Sequence, residues 1–319
     1  MDEAELGDRG RDREVAEACE LIRFLQLSRG VAVKLSGSSV RPRVYGWALV
    51  LFALSARTVF AGPPFQTDDP DPVAYRHFEA YVFELSDGTV PGGTTLEVPS
   101  FEMNWGVVPN VQLHLVVPVG ANFAPDGGPV HYGVGDTELG AKVRFVKETK
   151  RLPEVGIFPF VELPSGSPAN GLGVGTTWYR LPLWIQKSWG PWTSYGGGGE
   201  AVVPQSGYKN YPFAGWLVQR QMNKKLMLGI ELFGHGALGE AASSSRSSTL
   251  ADLGGSYEFK PGFDLLFAAG RSVVGQPETY SYLSLYWTWG PKGKGGGDDA
   301  DGKSGLMPML MKMHLREKN

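Results

Sequence analysis

The side chains able to do chemistry are spread thinly along this chain, and few of them form recognisable motifs. Five histidines (His77, His114, His131, His235 and His314) lie far apart. No H-E-x-x-H or other paired spacing joins them, so they offer no zinc site. No G-x-S-x-G occurs, which removes the nucleophile elbow of an α/β-hydrolase. A membrane-barrel hydrolase with Ser and His on neighbouring strands remains a minor alternative, with His114 the inward candidate. Gly171-Leu-Gly-Val-Gly175 lacks the third glycine of a dinucleotide loop and reads as a plain loop. Asp298-Asp-Ala-Asp-Gly302 fails as a calcium loop, because Gly297 and Pro308 fall where ligands belong. Asp68, Asp69 and Asp71 have the chemistry to hold a cation, although Asp-Pro runs more often make turns. Met307, Met309, Met311, Met313 and His314 are soft donors suited to Cu(I), or simply a sticky tail. These residues imply no cofactor and no catalytic group.

The charged residues become informative once they are placed on strands. Glu102, Asp136, Glu138, Lys142, Arg144, Glu162, Arg180, Glu231 and Asp252 fall at alternate positions of runs whose other positions are apolar. In Asp136–Phe145 the even positions are polar or glycine, and the odd ones include Leu139, Ala141, Val143 and Phe145. Leu226, Leu228, Ile230 and Leu232 alternate with Lys225, Met227, Gly229 and Glu231 in the same way. Successive side chains of a strand point to opposite faces, so each run has one apolar and one polar face. Twelve such runs follow one another: 75–85, 95–105, 111–119, 135–147, 154–163, 176–187, 192–203, 212–221, 225–235, 249–258, 263–270 and 280–289. Pro99, Pro118, Pro159 and Pro182 lie inside them and call for local breaks or bulges. Gly196–Gly199 in the seventh run leaves space for something to approach the wall.

Connections alternate between long (86–94, 120–134, 164–175, 204–211, 236–248, 271–279) and short, as in an outer-membrane barrel with short periplasmic turns and long external loops. The expected fold is therefore all-β, a transmembrane antiparallel up-and-down β-barrel of about 12 strands. An even strand count puts both of its ends in the periplasm. Trp105, Trp189, Trp192, Trp287 and Trp289 all fall at that end and form an expected periplasmic aromatic girdle. The nine charged residues above are the expected lumen-facing set. Their mixed signs argue against strong ion selectivity, and they fit either a passage for a small solute or a salt-bridged plug.

Composition agrees. Of 319 residues, 30 are basic and 33 acidic, for a net charge of -3, which gives no basic face for nucleic acid. Charged residues are only 20 %, aromatics reach 12 %, and glycines number 44, a turn- and strand-rich balance. Mean hydropathy is -0.16, which excludes a polytopic helical membrane protein but not a barrel whose strands are half apolar. The single cysteine, Cys19, excludes a disulfide framework.

Residues 45–56 carry no charge, follow Arg41 and Arg43, and lead to Val59-Phe60-Ala61. As a helix they would span roughly 18 Å, too short for a hydrocarbon core of about 30 Å. They read as the core of a signal peptide over 40–61, cleaved after Ala61. Residues 1–39 then read as a non-structural extension, with translation starting downstream near Val31, Val33 or Val40. The remaining order is a periplasmic lead-in at 62–74, the barrel at 75–289, and a Gly/Lys/Asp linker with the Met-rich tail at 290–319.

Several segments together resemble a known family. They are Gly62-Pro-Pro-Phe-Gln-Thr-Asp-Asp-Pro70, Tyr75–Glu79, Gly135–Phe145, Leu181–Trp192 and Tyr195–Gly199. They resemble the outer-membrane barrels named for the meta-pathway of phenol degradation, often labelled transporters. The resemblance covers 62–289 and implies a passive transporter or channel for small, hydrophobic or aromatic compounds. It places the chain in the outer membrane of a Gram-negative-type bacterium, with membrane lipids, the outer-membrane assembly machinery and a small-molecule solute as partners. The chain departs from the usual barrel by continuing past the aromatic end of its last strand, Trp289. A structural barrel with a plugged lumen is the alternative, and a lipid-modifying membrane enzyme the second.

Overall fold

A computed structural model describes residues 64–291, except 91–92, 125 and 240–244. The extension at 1–39, the signal peptide at 40–61 and the Met-rich tail lie outside the described residues. Twelve antiparallel strands close on themselves. They are β1 (Phe78–Thr89), β2 (Gly93–Val108), β3 (Val111–Val117 and Val119–Phe123), β4 (His131–Val134 and Thr137–Val146), β5 (Glu154–Ile157 and Phe160–Leu163) and β6 (Trp178–Trp189). The second half is β7 (Trp192–Val202), β8 (Tyr211–Gln221), β9 (Leu226–His235), β10 (Ser248–Lys260), β11 (Phe263–Gly275) and β12 (Glu278–Trp289). Each strand pairs with its neighbours in sequence, and β1 pairs with both β2 and β12. The register from Phe78↔Trp289 to Thr89↔Glu278 closes the wall along the whole of β1.

All twelve runs expected from alternation are strands, and the prolines explain where strands are interrupted. Pro118 splits β3 and faces the part of β2 that holds Pro99. There the Ser100 hydroxyl accepts a hydrogen bond from the Val119 amide at 2.9 Å, replacing a ladder bond that proline has no N–H to make. Pro159 splits β5 opposite Pro182 of β6, and the Pro182 carbonyl still accepts the Phe158 amide at 3.3 Å. Each proline pair thus shares one gap in one seam.

The loops depart from the expected alternation. The first and last far-end connections, expected at 86–94 and 271–279, shrink to 90–92 and 276–277 because their strands run on past the alternating core. Among the connections at the end where β1 begins and β12 finishes (the near end), 147–153 is the long one. Strand ends carry few apolar residues, so hydrophobic alternation understates how far the ladder extends.

The outer face is apolar and uncovered: Leu115, Leu183, Ile230, Leu232, Leu253 and Leu283 are all exposed. No helix among the described residues is long and apolar enough to cross a membrane; the strands form the wall. A closed wall with such a belt is built for lipid, where every backbone group must find its partner inside the protein.

Candidate functional site

Of the nine charged residues expected to face the lumen, Glu102, Asp136, Glu138, Lys142, Arg144, Glu162 and Arg180 border the internal space, whereas Glu231 and Asp252 are buried away from it, and the nine divide into groups with different occupations. Near the middle of the barrel, residues 64–74, expected only as a lead-in to β1, lie against the inner wall. Glu231 of β9 and Asp252 of β10 face each other in register and are fully buried. Glu231 accepts the backbone amides of Gln66 (3.1 Å) and Thr67, and Asp252 accepts the Gln66 side-chain amide at 3.3 Å. Both carboxylates therefore hold the segment and do not line the open space.

The aspartates of the same segment meet cations, but those of the wall. Lys142 Nζ is 2.9 Å from Asp68 and 3.5 Å from Asp69, while Arg144 bonds Asp71 and lies 3.2 Å from Glu154. Asn110 accepts two further bonds from the Arg144 guanidinium, at 3.0 and 3.2 Å. The Val73 amide donates to Gln112 Oε1 at 2.8 Å, and the Tyr280 hydroxyl to the Pro64 carbonyl at 2.9 Å. Glycines give the segment room: a Cβ at Gly215 would lie 1.8 Å from Thr67 Oγ1. Phe65 packs into a tyrosine-rich cluster with Tyr81, Tyr195, Tyr280, Tyr282 and Tyr286.

A second network spans β2, β3 and β4. His114 is hydrogen-bonded to Asn104 and to Glu138, each at 2.7 Å, and Asn104 donates to Glu102 at 2.8 Å. The inward histidine is thus held by hydrogen bonds on both ring nitrogens. Among the described residues no group of three or more His, Cys, Asp or Glu side chains is placed to hold a metal ion. Asp136 has a different task. Its two oxygens accept the amides of Gly166 (2.9 Å) and Val174 (2.7 Å), pinning the far-end connection 164–177 down toward the bore.

What remains is a cavity of about 630 Å³, within the range of small-molecule sites. Asp87, Glu97, Glu138, Glu162 and Arg180 line it, with Phe158, Phe160, Trp184, Phe213 and Phe233. The aromatic component went unrecognised in the sequence because alternation was read as polar inside and apolar outside. Its signal was nevertheless present: Trp184 shares parity with Arg180, and Phe233 with Glu231. Arg180 lies over three rings, 5.3 Å from the centres of Phe160 and Trp178 and 5.7 Å from that of Phe213.

At the near end Trp105, Trp189, Trp192 and Trp289 are exposed on the outer face. Phe78 stacks between Trp105 and Trp289 at 5.9 and 5.6 Å. Trp287 is half-buried because it stacks on Phe263 at 5.2 Å.

No known family's sequence profile matches this chain, and no curated protein matches it in sequence. Solved structures do match in shape. The crystal structure of an outer membrane channel from Pseudomonas putida F1 is similar over 72 % of this chain and 99 % of its own, with 14 % identity and a TM-score of 0.59. The KdgM porin, solved with oligogalacturonate, is similar over 66 % of this chain and 98 % of its own, at 10 % identity and a TM-score of 0.44. The CymD monoaromatic hydrocarbon channel covers 70 % of this chain and 90 % of its own, at 9 % identity and a TM-score of 0.38. The first of these carries the same fold, a closed antiparallel membrane barrel.

Proposed function

We propose that this protein is a passive transporter or channel of the outer membrane for small, hydrophobic or aromatic compounds, akin to the barrels named for the meta-pathway of phenol degradation. The observation that carries this reading is the pairing of an apolar outer belt with an internal cavity lined by both rings and charges. A barrel of about eight strands is filled by its own side chains, and twelve leave space. The matching fold of the Pseudomonas putida outer membrane channel supports the same reading.

In this account the near end faces the periplasm of a Gram-negative-type cell, reached after the signal peptide is removed near Ala61 and the barrel is inserted by the assembly machinery. Trp105, Trp189, Trp192, Trp287 and Trp289 then sit at headgroup level, where their amphipathic rings suit the interface. The solute moves by diffusion, without a covalent step. The experiment is twofold: conductance of the purified protein in planar bilayers, and uptake of a panel of aromatic solutes by a deletion strain with and without the gene. Conductance together with protein-dependent uptake of at least one solute is the expected result. Neither appearing would refute it.

A second reading, a structural barrel with a plugged bore, draws support from the anchored segment 64–74. It requires conductance to stay at background even after that segment is dislodged.

A further inference from the structure

The inward face of β6 presents three N–H donors without acceptors. The indole Nε1 of Trp178, Nε of Arg180 and the indole Nε1 of Trp184 are all buried and have no hydrogen-bond partner among the described residues. Trp184 is only 3 % exposed, and it lines the cavity beside Arg180. A buried donor left unpaired is costly, and an empty row of them on one strand face asks for an acceptor. The surroundings supply ring faces instead. Phe213 lies 6.3 Å from Trp184 centre to centre, and Phe158, Phe160 and Phe233 complete an aromatic wall. The indole of Trp184 fits because Gly197 on β7 has no side chain; a Cβ there would come within 3.0 Å of it.

We infer that this face of β6 is a recognition site for an uncharged, apolar-bodied molecule bearing a hydrogen-bond acceptor such as a carbonyl oxygen, held by Trp184 and Arg180. The inference rests on the channel reading and names its substrate class more closely. Three other ligand chemistries fit less well. A pure hydrocarbon would satisfy the rings but leave the N–H groups unpaired. An ammonium compound would meet carboxyl groups elsewhere in the cavity, but it has no acceptor to offer the three N–H groups and sets a second cation beside Arg180. A carboxylate would meet Arg180, but it would compete there with Glu138 and Glu162, carboxyl groups of the same cavity.

The test is a ¹⁹F NMR titration of the folded full-length protein in detergent with four probes of matched size: 4-fluoroacetophenone, 4-fluoroethylbenzene, 4-fluorobenzoate and 4-fluorobenzylammonium. The ketone is expected to bind at least about fivefold more tightly than each of the others, the weight of one ordinary hydrogen bond. Trp184→Phe, which keeps a ring and deletes the donor, and Arg180→Gln should each lower the ratio of ketone to ethylbenzene affinity by about that factor. Heat-modifiable gel mobility checks that each variant is folded. If one fails to fold, the other variant and the wild-type ranking decide. Equal binding of ketone and ethylbenzene, tightest binding of either ion, or a folded Trp184→Phe with unchanged ketone affinity would overturn the assignment. Bilayer conductance of the same preparation separates the two claims. Conductance without ketone selectivity removes only this site, whereas ketone selectivity without conductance or uptake removes only the channel reading.

Discussion

A single carboxylate can decide whether a loop belongs to the solvent or to the bore. Asp136 stands where β4 is interrupted, and both of its oxygens are taken by amides from the connection 164–177. Hydrogen bonds to an ionised acceptor are worth about 1.5–3 kcal/mol each, so two of them hold the loop against its entropy. Leu172 and Val174 of that loop line the cavity. Asp136→Ala should therefore raise hydrogen exchange at the Gly166 and Val174 amides by a factor of ten or more while leaving the strand amides protected. Unchanged exchange at both amides would show that the loop is held by other contacts. Lys142 and Arg144 act similarly further along the same strand, each answering aspartates that the chain brings from more than seventy residues away.

At the scale of elements, the segment 64–74 and the strands fit each other through missing side chains. Gly215 of β8 points inward at Thr67, and Gly229 of β9 at Phe65, where an added Cβ would lie 3.1 Å from the ring. Neither glycine has a positive φ, so a methyl group costs the strand little and falls on the segment. Gly215→Ala should dislodge residues 66–68, since the Thr67 side chain cannot share that space. The expected outcome is a folded barrel with a higher single-channel conductance than the wild type. A folded variant with conductance still at background would favour the plugged, structural reading. The proline-paired seams, Pro99 with Pro118 and Pro159 with Pro182, show the same economy: two missing donors fall in one gap rather than two.

For the whole molecule, the decisive contrast is between its two faces. Ile230 and Glu231 are adjacent on β9, yet one is 61 % exposed and the other fully buried. An arginine on the lipid face near the bilayer midplane costs about 2–4 kcal/mol in membrane barrels. Ile230→Arg should lower the unfolding free energy in phospholipid bilayers by about that amount, measured by denaturant titration. A soluble β-sheet protein would tolerate the same exposed change within about 0.5 kcal/mol, so a near-zero effect would contradict the membrane assignment.

The amino-acid sequence by itself determined the class of fold and the strand number, and it put nine charged residues on the polar parity of their runs while passing over Asp87 and Glu97. Those follow from a two-residue period repeated along each strand, which is a local property. It did not determine what each inward residue meets. That Asp68, Asp69 and Asp71 would answer Lys142 and Arg144, or that Glu231 and Asp252 would hold residues 66 and 67, depends on which strands stand opposite once the wall closes. The inward tyrosines and Trp184 were equally present in the alternation, but whether they filled the bore or lined a cavity depended on the curvature of a closed sheet. Register and closure are long-range properties. Only the tertiary structure brings together residues that lie more than seventy positions apart.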